Sequence, residues 1–572
     1  MSDDGTFYAI VDDNGKLRLA ESRDKALKNE ALELTSTGSG SDHSITEVAH
    51  SANASATSGA GGGDLGVAGS VAINDASGVT EALLEEAASL ILQDGTADGD
   101  SDVGDVKFTA TATTYNLGRA LPHENASGAS LGFGLSFVLN IGAHDTRAAF
   151  LGEADLAGAN QVSLTATGDH VMATKAKAGA SSDGGTAVGG AVALAVANNQ
   201  TRAEVLAGTN ALDVEGNLAI QASGTQQQST EGDADTKGGD TGVGVAFAMG
   251  WVEDDTSALL DRDVSTEATT AGDVKVEATS QVDAKTVATG SSEGSKSEED
   301  GGNTADEETQ NQTDFANSRA GTSVDSAEPG AQVASGNGTA ASQTSDPGGQ
   351  GGTGQQASTE TEGGTVRVAA AIGVTVVKPD VTATIADGRT IDADGDLSVK
   401  ALNDADAETQ AIGLAFADDA KTTVGAAVAI NVGLLGATAT LGDGTTTAGA
   451  VASEAGSTSG EVNEFKTLAL AGSGSTQKGE DESTAIAGAA GVNVIDAQTA
   501  ASIAAGATVT TLTGDAKVTA RQDLGVQNIA GGGALTLSDS GTSVGAAIGV
   551  NFVDTTTSAS IGASADIEAL GD

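Results

Sequence analysis

The chain has no cysteine, only four prolines, and aromatic residues at 2% of its 572 positions. Without cysteine there is no disulfide framework and no thiol chemistry. With one Trp and two Tyr, aromatic-filled cores are not expected, and thin cores of Val, Ile, Leu and Ala fit better. The sequence also lacks an apolar run of transmembrane length and a secretory signal at its start. We therefore expect either that export uses a signal elsewhere or that the chain is a fragment.

Basic residues are scarce: 26 lysines and arginines stand against 80 aspartates and glutamates, which gives a formal net charge of -54. Nucleic-acid binding depends on Lys and Arg neutralising phosphates, so nucleic-acid partners are not expected. The same deficit argues against adsorption to anionic lipid, and no membrane insertion is predicted. The acid excess suits a medium of high ionic strength, in which screening shortens the reach of self-repulsion.

Glycine is abundant, with 80 copies, and much of it lies in one restated pattern. The stretch Val424 to Val432 alternates large residues with Gly, Ala and Asn. Because successive side chains of a strand point to opposite sides, this pattern predicts a strand with one bulky face and one small face. The same alternation recurs at 65–74, 131–140, 188–199, 242–249, 366–377, 486–494 and 544–552.

Two markers give the repeat its period. The asparagine that closes the small face recurs at intervals of roughly 60 residues, as expected of a stacked architecture. A Gly-Asp or Gly-Asn turn leads into a further strand inside most periods. The asparagines are Asn74, Asn140, Asn199, Asn431, Asn493 and Asn551, and the turns begin at Gly104, Gly216, Gly272, Gly395 and Gly514.

These patterns predict an all-β fold, a parallel β-solenoid (β-helix) of repeats of roughly 60 residues. Parallel crossovers are nearly always right-handed, so a right-handed coil is expected. With two coils to a period, about 17 coils would form a rod on the order of 80 Å long. Thr80 to Leu92 is the one weak helix candidate among the repeats.

Composition divides the chain into four segments. Residues 1–43 read as a hairpin-plus-helix module, a small α+β remnant at the N-terminus. Residues 44–290 and 365–572 are two blocks of solenoid repeats. Between them, 291–364 is acidic and rich in Gly and Ser, so it cannot bury enough apolar area to offset its chain entropy, which predicts a disordered insertion.

The phrase YAIVDDNGKLRLAES from Tyr8, followed by GAAVAINV and GDLSVKA in the repeats, resembles very large repetitive bacterial surface proteins. These are the filamentous-haemagglutinin-like or adhesin-type β-solenoid proteins. The resemblance covers nearly the whole chain. In that family the module has further strands before the Tyr, so we expect this chain to begin inside a module. The resemblance implies a secreted protein at the cell surface or in an extracellular filament.

The small face is the predicted contact surface. If the bulky side chains fill the solenoid, the Gly and Ala residues stack into a flat, weakly apolar strip on the outside. Such a strip permits lateral packing of two solenoids, while an unfinished last repeat favours end-to-end continuation; tight coil geometry or cover by the chain's own loops would also explain it. The predicted interface residues are Gly425, Ala427, Ala429, Ala191, Ala193, Ala195, Gly545 and Ala547.

Calcium is the one cofactor that the sequence suggests. Alternating carboxylates can converge on a hard cation, although both candidate loops lack the glycine and the bidentate glutamate of a complete calcium loop. A solvated acidic turn is the competing interpretation. The five histidines are scattered without zinc-ligand spacing. The candidate calcium ligands are Asp98, Asp100 and Asp102 in one loop and Asp392, Asp394 and Asp396 in the other.

The predicted function is a non-catalytic structural or adhesive repeat region that binds copies of itself or a cell-surface or glycan receptor. One alternative is a polysaccharide-active β-helix enzyme or a carbohydrate-binding module. Such sites use basic residues and aromatic sugar platforms, of which this chain has few; Trp251 is its single tryptophan. The other alternative, an ice-binding solenoid, needs regular Thr-x-Thr rungs. Thr109 to Thr113 fits locally, but the pattern does not recur in the same phase.

Overall fold

A computed structural model gives the arrangement of the chain, which forms two compact units, Met1–Val48 and Ala49–Asp572. The first unit contains β1 (Tyr8–Val11) and β2 (Leu17–Ala20), which pair antiparallel and confirm the predicted hairpin. The helix expected just after it lies outside the described residues. The structure describes residues 8–11, 17–20, 50–92, 104–122, 125–157, 159–266, 272–296, 360–361, 366–417, 420–475, 482–538 and 540–570.

The second unit consists of parallel strands stacked in three sheets, which confirms the all-β solenoid. Within the described ranges no helix is long and apolar enough to cross a membrane. Strands are numbered along the chain. Sheet 1 contains β4 (Leu65–Leu84), β8 (Leu131–Phe150), β11 (Thr186–Val205), β14 (Thr241–Leu260), β18 (Val366–Ile385), β21 (Thr422–Leu441), β25 (Thr484–Ile503) and β29 (Thr542–Ile561).

Sheet 2 faces sheet 1, and sheet 3 is a narrow third side made of short strands. Sheet 2 contains β3 (His50–Ser58), β6 (Val106–Pro122), β7 (Ala126–Ser127), β10 (Val162–Ser181), β13 (Leu218–Gly238), β16 (Val274–Lys296), β17 (Glu360–Thr361), β20 (Leu397–Ala417), β23 (Val451–Ser457), β24 (Asn463–Ser475), β27 (Ala516–Arg521) and β28 (Leu524–Thr536). Sheet 3 contains β12 (Leu212–Val214), β15 (Val264–Thr266), β19 (Thr390–Asp392), β22 (Thr445–Ala448), β26 (Thr508–Thr511) and β30 (Asp566–Glu568), while β5 (Ser89–Ile91) pairs with β9 (Asp155–Ala157).

Each repeat makes one coil: a long strand in sheet 1, a short strand in sheet 3, and a long strand in sheet 2. Leu131 pairs with Leu65 in the preceding coil and with Thr186 in the next. The prediction of two coils per period is therefore wrong. With neighbouring strands about 4.8 Å apart, the eight strands of sheet 1 span roughly 34 Å, which is less than half of the expected rod length of about 80 Å. Right-handedness stays a prediction.

The two predicted repeat blocks form one solenoid. Strand β14 pairs directly with β18, and β16 with β20, so the coil after the 291–364 segment stacks on the coil before it. Ser291 to Lys296 belong to the end of β16, and Glu360 and Thr361 form β17. Residues 297–359 and 362–365, where the insertion is predicted, lie outside the described part of the chain.

Two details of the repeat differ from the sequence pattern. The segment from Thr80 to Leu92 is not helical, because β4 runs to Leu84 and β5 covers Ser89–Ile91. Asn199 is not the counterpart of Asn140: it pairs with His144, and Ala195 occupies the position beside Asn140. The strand in this coil carries its buried asparagine four residues later. Aligning the repeats on their asparagines therefore gives the wrong register for this strand.

Sheets 1 and 2 approach each other so closely that only small side chains fit between them over half their width. The inner residues there are almost all alanine, including Ala193 and Ala429 in sheet 1 and Ala176 and Ala469 in sheet 2. A Cβ on Gly425 would overlap the carbonyl oxygen of Gly472. Where an inner side chain is larger, as at Val138, a glycine of sheet 2 (Gly118) faces it.

This close approach reverses the predicted inside and outside. The small face is buried and the bulky face is outside, because Val, Ile and Phe cannot enter the space between the two sheets. The predicted interface residues Ala191, Ala193, Ala195, Ala427 and Ala429 are at most 1% exposed. Gly425 is buried with them. Gly545 and Ala547, on β29, pair with Ala487 and Ala489 in the same inward columns, but both are exposed because β29 is the last strand of sheet 1. The six predicted interface residues on β11 and β21 therefore cannot form a lateral contact, whereas Gly545 and Ala547 are open at the end of the stack.

Larger apolar residues fill the interior in two places. Met172, Phe465 and Ile495 are buried in a middle zone next to the alanine zone, and others lie in a wide zone beside sheet 3. Leu164, Leu218, Ile385 and Ile391 pack there beside Phe150, all at most 2% exposed. Phe108 meets Phe150 edge to face at 5.2 Å between ring centroids. The core thus has a narrow alanine zone, a middle zone of mixed side chains and a wide aliphatic zone.

We predict that Ala427→Leu lowers the free energy of unfolding by about 1–3 kcal/mol, because the added atoms overpack the alanine zone. The adjacent outward substitution Val428→Thr should cost less than about 1 kcal/mol, as expected of a residue in contact with solvent. Urea unfolding followed by circular dichroism measures both. A larger loss of unfolding free energy for Val428→Thr than for Ala427→Leu would show that the bulky face, not the small face, lies in the interior.

Candidate interaction surface

The outer side of sheet 1 carries large apolar side chains on every strand. We call the five outward columns that begin at Val67 the apolar face. The pairing register aligns Val67, Phe133, Val188 and Val243 across four neighbouring strands. Its outward positions are alternate residues of 67–75, 133–141, 188–196, 243–251, 368–376, 424–432, 486–494 and 544–552.

The apolar face is exposed or half-buried on all eight strands, most exposed on the two end strands, and Val376 on β18 is its one buried position, at 7%. Val71 on β4 is 61% exposed, Ile372 on β18 is 39% exposed, and Ile548 on β29 is 63% exposed. Eight strands and five columns cover roughly 900 Å². Monomeric proteins rarely expose a contiguous apolar patch larger than a few hundred Å², and larger ones mark contact sites.

Charge is nearly absent from the face but begins at its border. Among its forty outward positions the one ionisable side chain is Asp75. Farther along the same strands, cross-strand ion pairs take over: Arg202 contacts Asp145 at 2.6 Å, and Arg147 contacts Glu204 at 2.7 Å. The outer side of sheet 1 is thus divided into an apolar half and an ionic half.

The outer side of sheet 2 is polar. Lys175 pairs with Glu231 at 2.7 Å and Lys177 with Asp233 at 2.8 Å, each across neighbouring coils. In later coils the register instead aligns Asp283, Asp406 and Glu464. Burial, followed by the neighbouring carboxylates, raises the pKa of Asp406 to about 6, although the backbone N–H of Glu464 donates to it. The excess of acidic residues therefore produces a row of neighbouring carboxylates whose mutual repulsion lowers the stability of the fold.

Buried amides join the two long sheets. Asn431 is fully buried and donates to the carbonyl oxygens of Ala407 and Lys466 in sheet 2, at 3.1 and 2.8 Å. Asn140 donates in the same way to Asn116 and Ala173, at 3.2 Å each. The recurring asparagine is thus a cross-link inside the coil, since a buried amide must find partners.

A second buried polar group lies in the earlier coils. His144 and His170 stack with ring centroids 4.9 Å apart, and burial lowers the pKa of His170 to about 3, so both rings are neutral at pH 7. Asp254 is fully buried and accepts hydrogen bonds from Ser280 and Thr256 at 2.5 and 3.2 Å. Burial raises the pKa of Asp254 to about 6. These residues are far apart in the sequence, and no sequence pattern predicts that they lie close together. The pairing register of the strands brings them into one region of the core.

Of the six predicted calcium ligands, the three that the structure describes are not assembled into a site. Asp392, Asp394 and Asp396 are exposed at alternate positions at the end of β19 and in the turn after it. Asp98, Asp100 and Asp102 lie outside the described residues. Among the residues that are described, no three His, Cys, Asp or Glu side chains could hold a metal ion. The turn carboxylates act within the ladder instead: Asp273 accepts from the backbone N–H of Asp396 at 3.0 Å.

We predict that Asp254→Asn stabilises the protein at neutral pH. The folded-state pKa of about 6 exceeds the unfolded value of 3.8, so the folded protein binds the proton more tightly, and stability falls as the pH rises through this window. Asparagine keeps an acceptor for Ser280 and removes the charge. The gain should appear from pH 4, grow to about 3 kcal/mol by pH 6, and stay constant above it.

Urea unfolding between pH 4 and pH 8 measures the difference between variant and parent. The control is Asp213→Asn, a substitution of an exposed carboxyl on β12, which should leave the pH profile unchanged. A loss of stability at pH 8 in Asp254→Asn would show that the buried carboxylate is compensated by something that the amide cannot replace.

We predict that Asp406→Asn raises the melting temperature at pH 7.5, and more at low salt than at high salt, because screening already relieves part of the repulsion in the parent. Equal ionic strengths of CaCl₂ and NaCl should act alike if the row responds only to screening. Calorimetry measures both effects. Extra stabilisation by calcium that disappears in Asp406→Asn would instead identify an ion bound to the row.

Comparison of the chain with protein-family models, with curated proteins and with solved structures found no match. The resemblance to giant bacterial surface proteins therefore remains an expectation from sequence phrases.

Proposed function

We propose that this chain is a structural and adhesive repeat region of a large extracellular surface protein or filament. Its role is non-catalytic: the solenoid supplies a stiff scaffold, and the apolar face makes the contact. The observation that carries the proposal is the unpaired outer side of sheet 1, whose large side chains are exposed or half-buried from β4 to β29, with Val376 the one buried exception. An apolar area of this size is costly to leave in water.

The core behind the face supports a contact role. Sheets 1 and 2 pack so closely through alanine and glycine that the space between them cannot accommodate the large outward side chains. Most of those side chains are Val or Ile, which have few rotamers to lose on binding. The face is therefore ready for a flat partner without rearrangement.

The polar remainder of the surface fits an extracellular, highly solvated setting. Net charge far from zero keeps a protein dispersed, and apart from Asp75 the apolar face carries no carboxylate. The sequence phrases shared with adhesin-type solenoids point to the same location. Self-association and a cell-surface receptor are the partners in this proposal; nucleic acid and insertion into a membrane are not.

Adsorption tests the contact role of the face. A dilute solution of the full chain should adsorb to an alkyl-coated sensor in about 1 M NaCl, where charge is screened, and much less to a hydroxyl-coated one. The variant Phe247→Lys, Val428→Lys should lose this preference, because both side chains lie in one column of the face. Equal adsorption by parent and variant would show that the face is not a contact surface.

A further inference from the structure

We infer that the occupant of the apolar face is the same face of a second copy of this chain. The inference rests on the proposed function and names the partner at that site. The product would be a dimer of two solenoids packed sheet 1 to sheet 1, with the polar sides facing solvent.

The size of the face fits such a dimer. A stable protein–protein interface buries about 800 Å² on each partner, and the apolar face measures roughly 900 Å². A two-fold axis brings the same patch of both molecules together, so the partner needs no surface that the chain does not already have. Sheets packed face to face lie about 10 Å apart, and their large outward side chains can interdigitate at that distance.

Relief on the face allows that interdigitation. The second column is the smallest, with Gly190, Ala370 and Ala426 on three of its strands. The columns on either side hold residues such as Val424 and Val428. Leu135 and Val245 interrupt this column on β8 and β14, but from Ala370 to Ala546 it is small on four neighbouring strands. A groove thus runs across β18, β21, β25 and β29 between two ridges, and a ridge of the second molecule can enter it.

Charge selects this partner over others. Each copy has a formal charge of -54, so two molecules repel wherever their carboxylates meet. The apolar face, with Asp75 at one corner, is a large region where two copies can touch without bringing acids together. A polyanion finds no cation there, and a glycan finds few hydrogen-bonding groups.

The dimer has a distinctive salt dependence. Added salt screens the long-range repulsion between the two acidic molecules and does not weaken apolar contact. Association should therefore tighten as salt rises. An interface made from the ionic half of sheet 1 would respond in the opposite way.

Sedimentation of the full chain tests the inference. The parent should change from 55.4 kDa to twice that mass as concentration rises, at lower concentration in about 1 M than in about 0.1 M NaCl. Trp251 lies on the face and is the single tryptophan, so its emission should shift to shorter wavelength in the same range.

Variants connect the dimer to the face. Phe247→Lys with Val428→Lys should raise the dissociation constant of the dimer at least about 30-fold. The milder pair Ile372→Thr, Val428→Thr should raise it by a smaller factor. Because threonine is β-branched and favours strands, this second pair should keep the fold. The control pair Ser223→Lys, Gln227→Lys adds the same charge to exposed positions of β13 on sheet 2 and should leave the dimer intact. Circular dichroism and the melting temperature verify folding.

Two results would overturn the inference. A parent that stays monomeric at every salt and concentration excludes the dimer; if it still adsorbs to the alkyl surface, the contact role stands and the face binds another apolar partner, such as a lipid surface. A parent that dimerises equally well in both face variants, with no change in Trp251 emission, uses a different surface.

Discussion

The distance between sheets 1 and 2 controls the rest of the structure. Over half their width the sheets approach until backbone meets backbone, as at Gly425 and Gly472. Such an approach maximises van der Waals contact between small groups and leaves no cavity, but it admits only Gly and Ala in nearly every inner position. Large apolar residues must then lie in the middle zone, in the wide zone beside sheet 3, or on the outside.

This constraint links the core to the surface. A strand of alternating small and large residues ordinarily hides the large ones. Here burial of the small residues in both sheets leaves Val, Ile, Leu and Phe outside on sheet 1, while sheet 2 carries Thr, Lys and acidic residues at its outward positions. The solenoid is therefore amphipathic across its thickness, with its apolar surface and its polar surface on opposite sides of one thin core.

Polar groups within the core are matched to this geometry. Asn431 and Asn140 bridge the sheets by donating to carbonyl oxygens. Gly224 leaves room for the carboxylate of Asp254 across the interior. Along the same columns, later coils replace the polar cluster of His144, His170 and Asp254 with apolar residues such as Val282, Ala405 and Ala497. Each coil thus fills the middle zone with different side chains, while every strand of sheet 1 keeps 20 residues.

The sequence by itself determined the elements and their class. Period-two alternation in stretches such as Val424 to Val432, together with Gly-Asp turns, suffices for a stack of parallel strands, since both signals are local. The register of most coils was also visible in the recurring asparagines, except at Asn199, where the buried amide lies farther along its strand.

Only the tertiary structure decided which face of each strand is buried. Alternation says that two faces differ, but the choice between them depends on how near the opposite sheet lies, and that distance is set by residues such as Gly472 that are remote in sequence. The same cause buried Ala427 and Ala429, the predicted contact residues, left their neighbours Val428 and Ile430 on the outside, and brought His144 against His170 from different strands. The alternation of small and large residues can be read from the sequence. The surface that it produces cannot, because that surface depends on packing between residues that are remote in sequence.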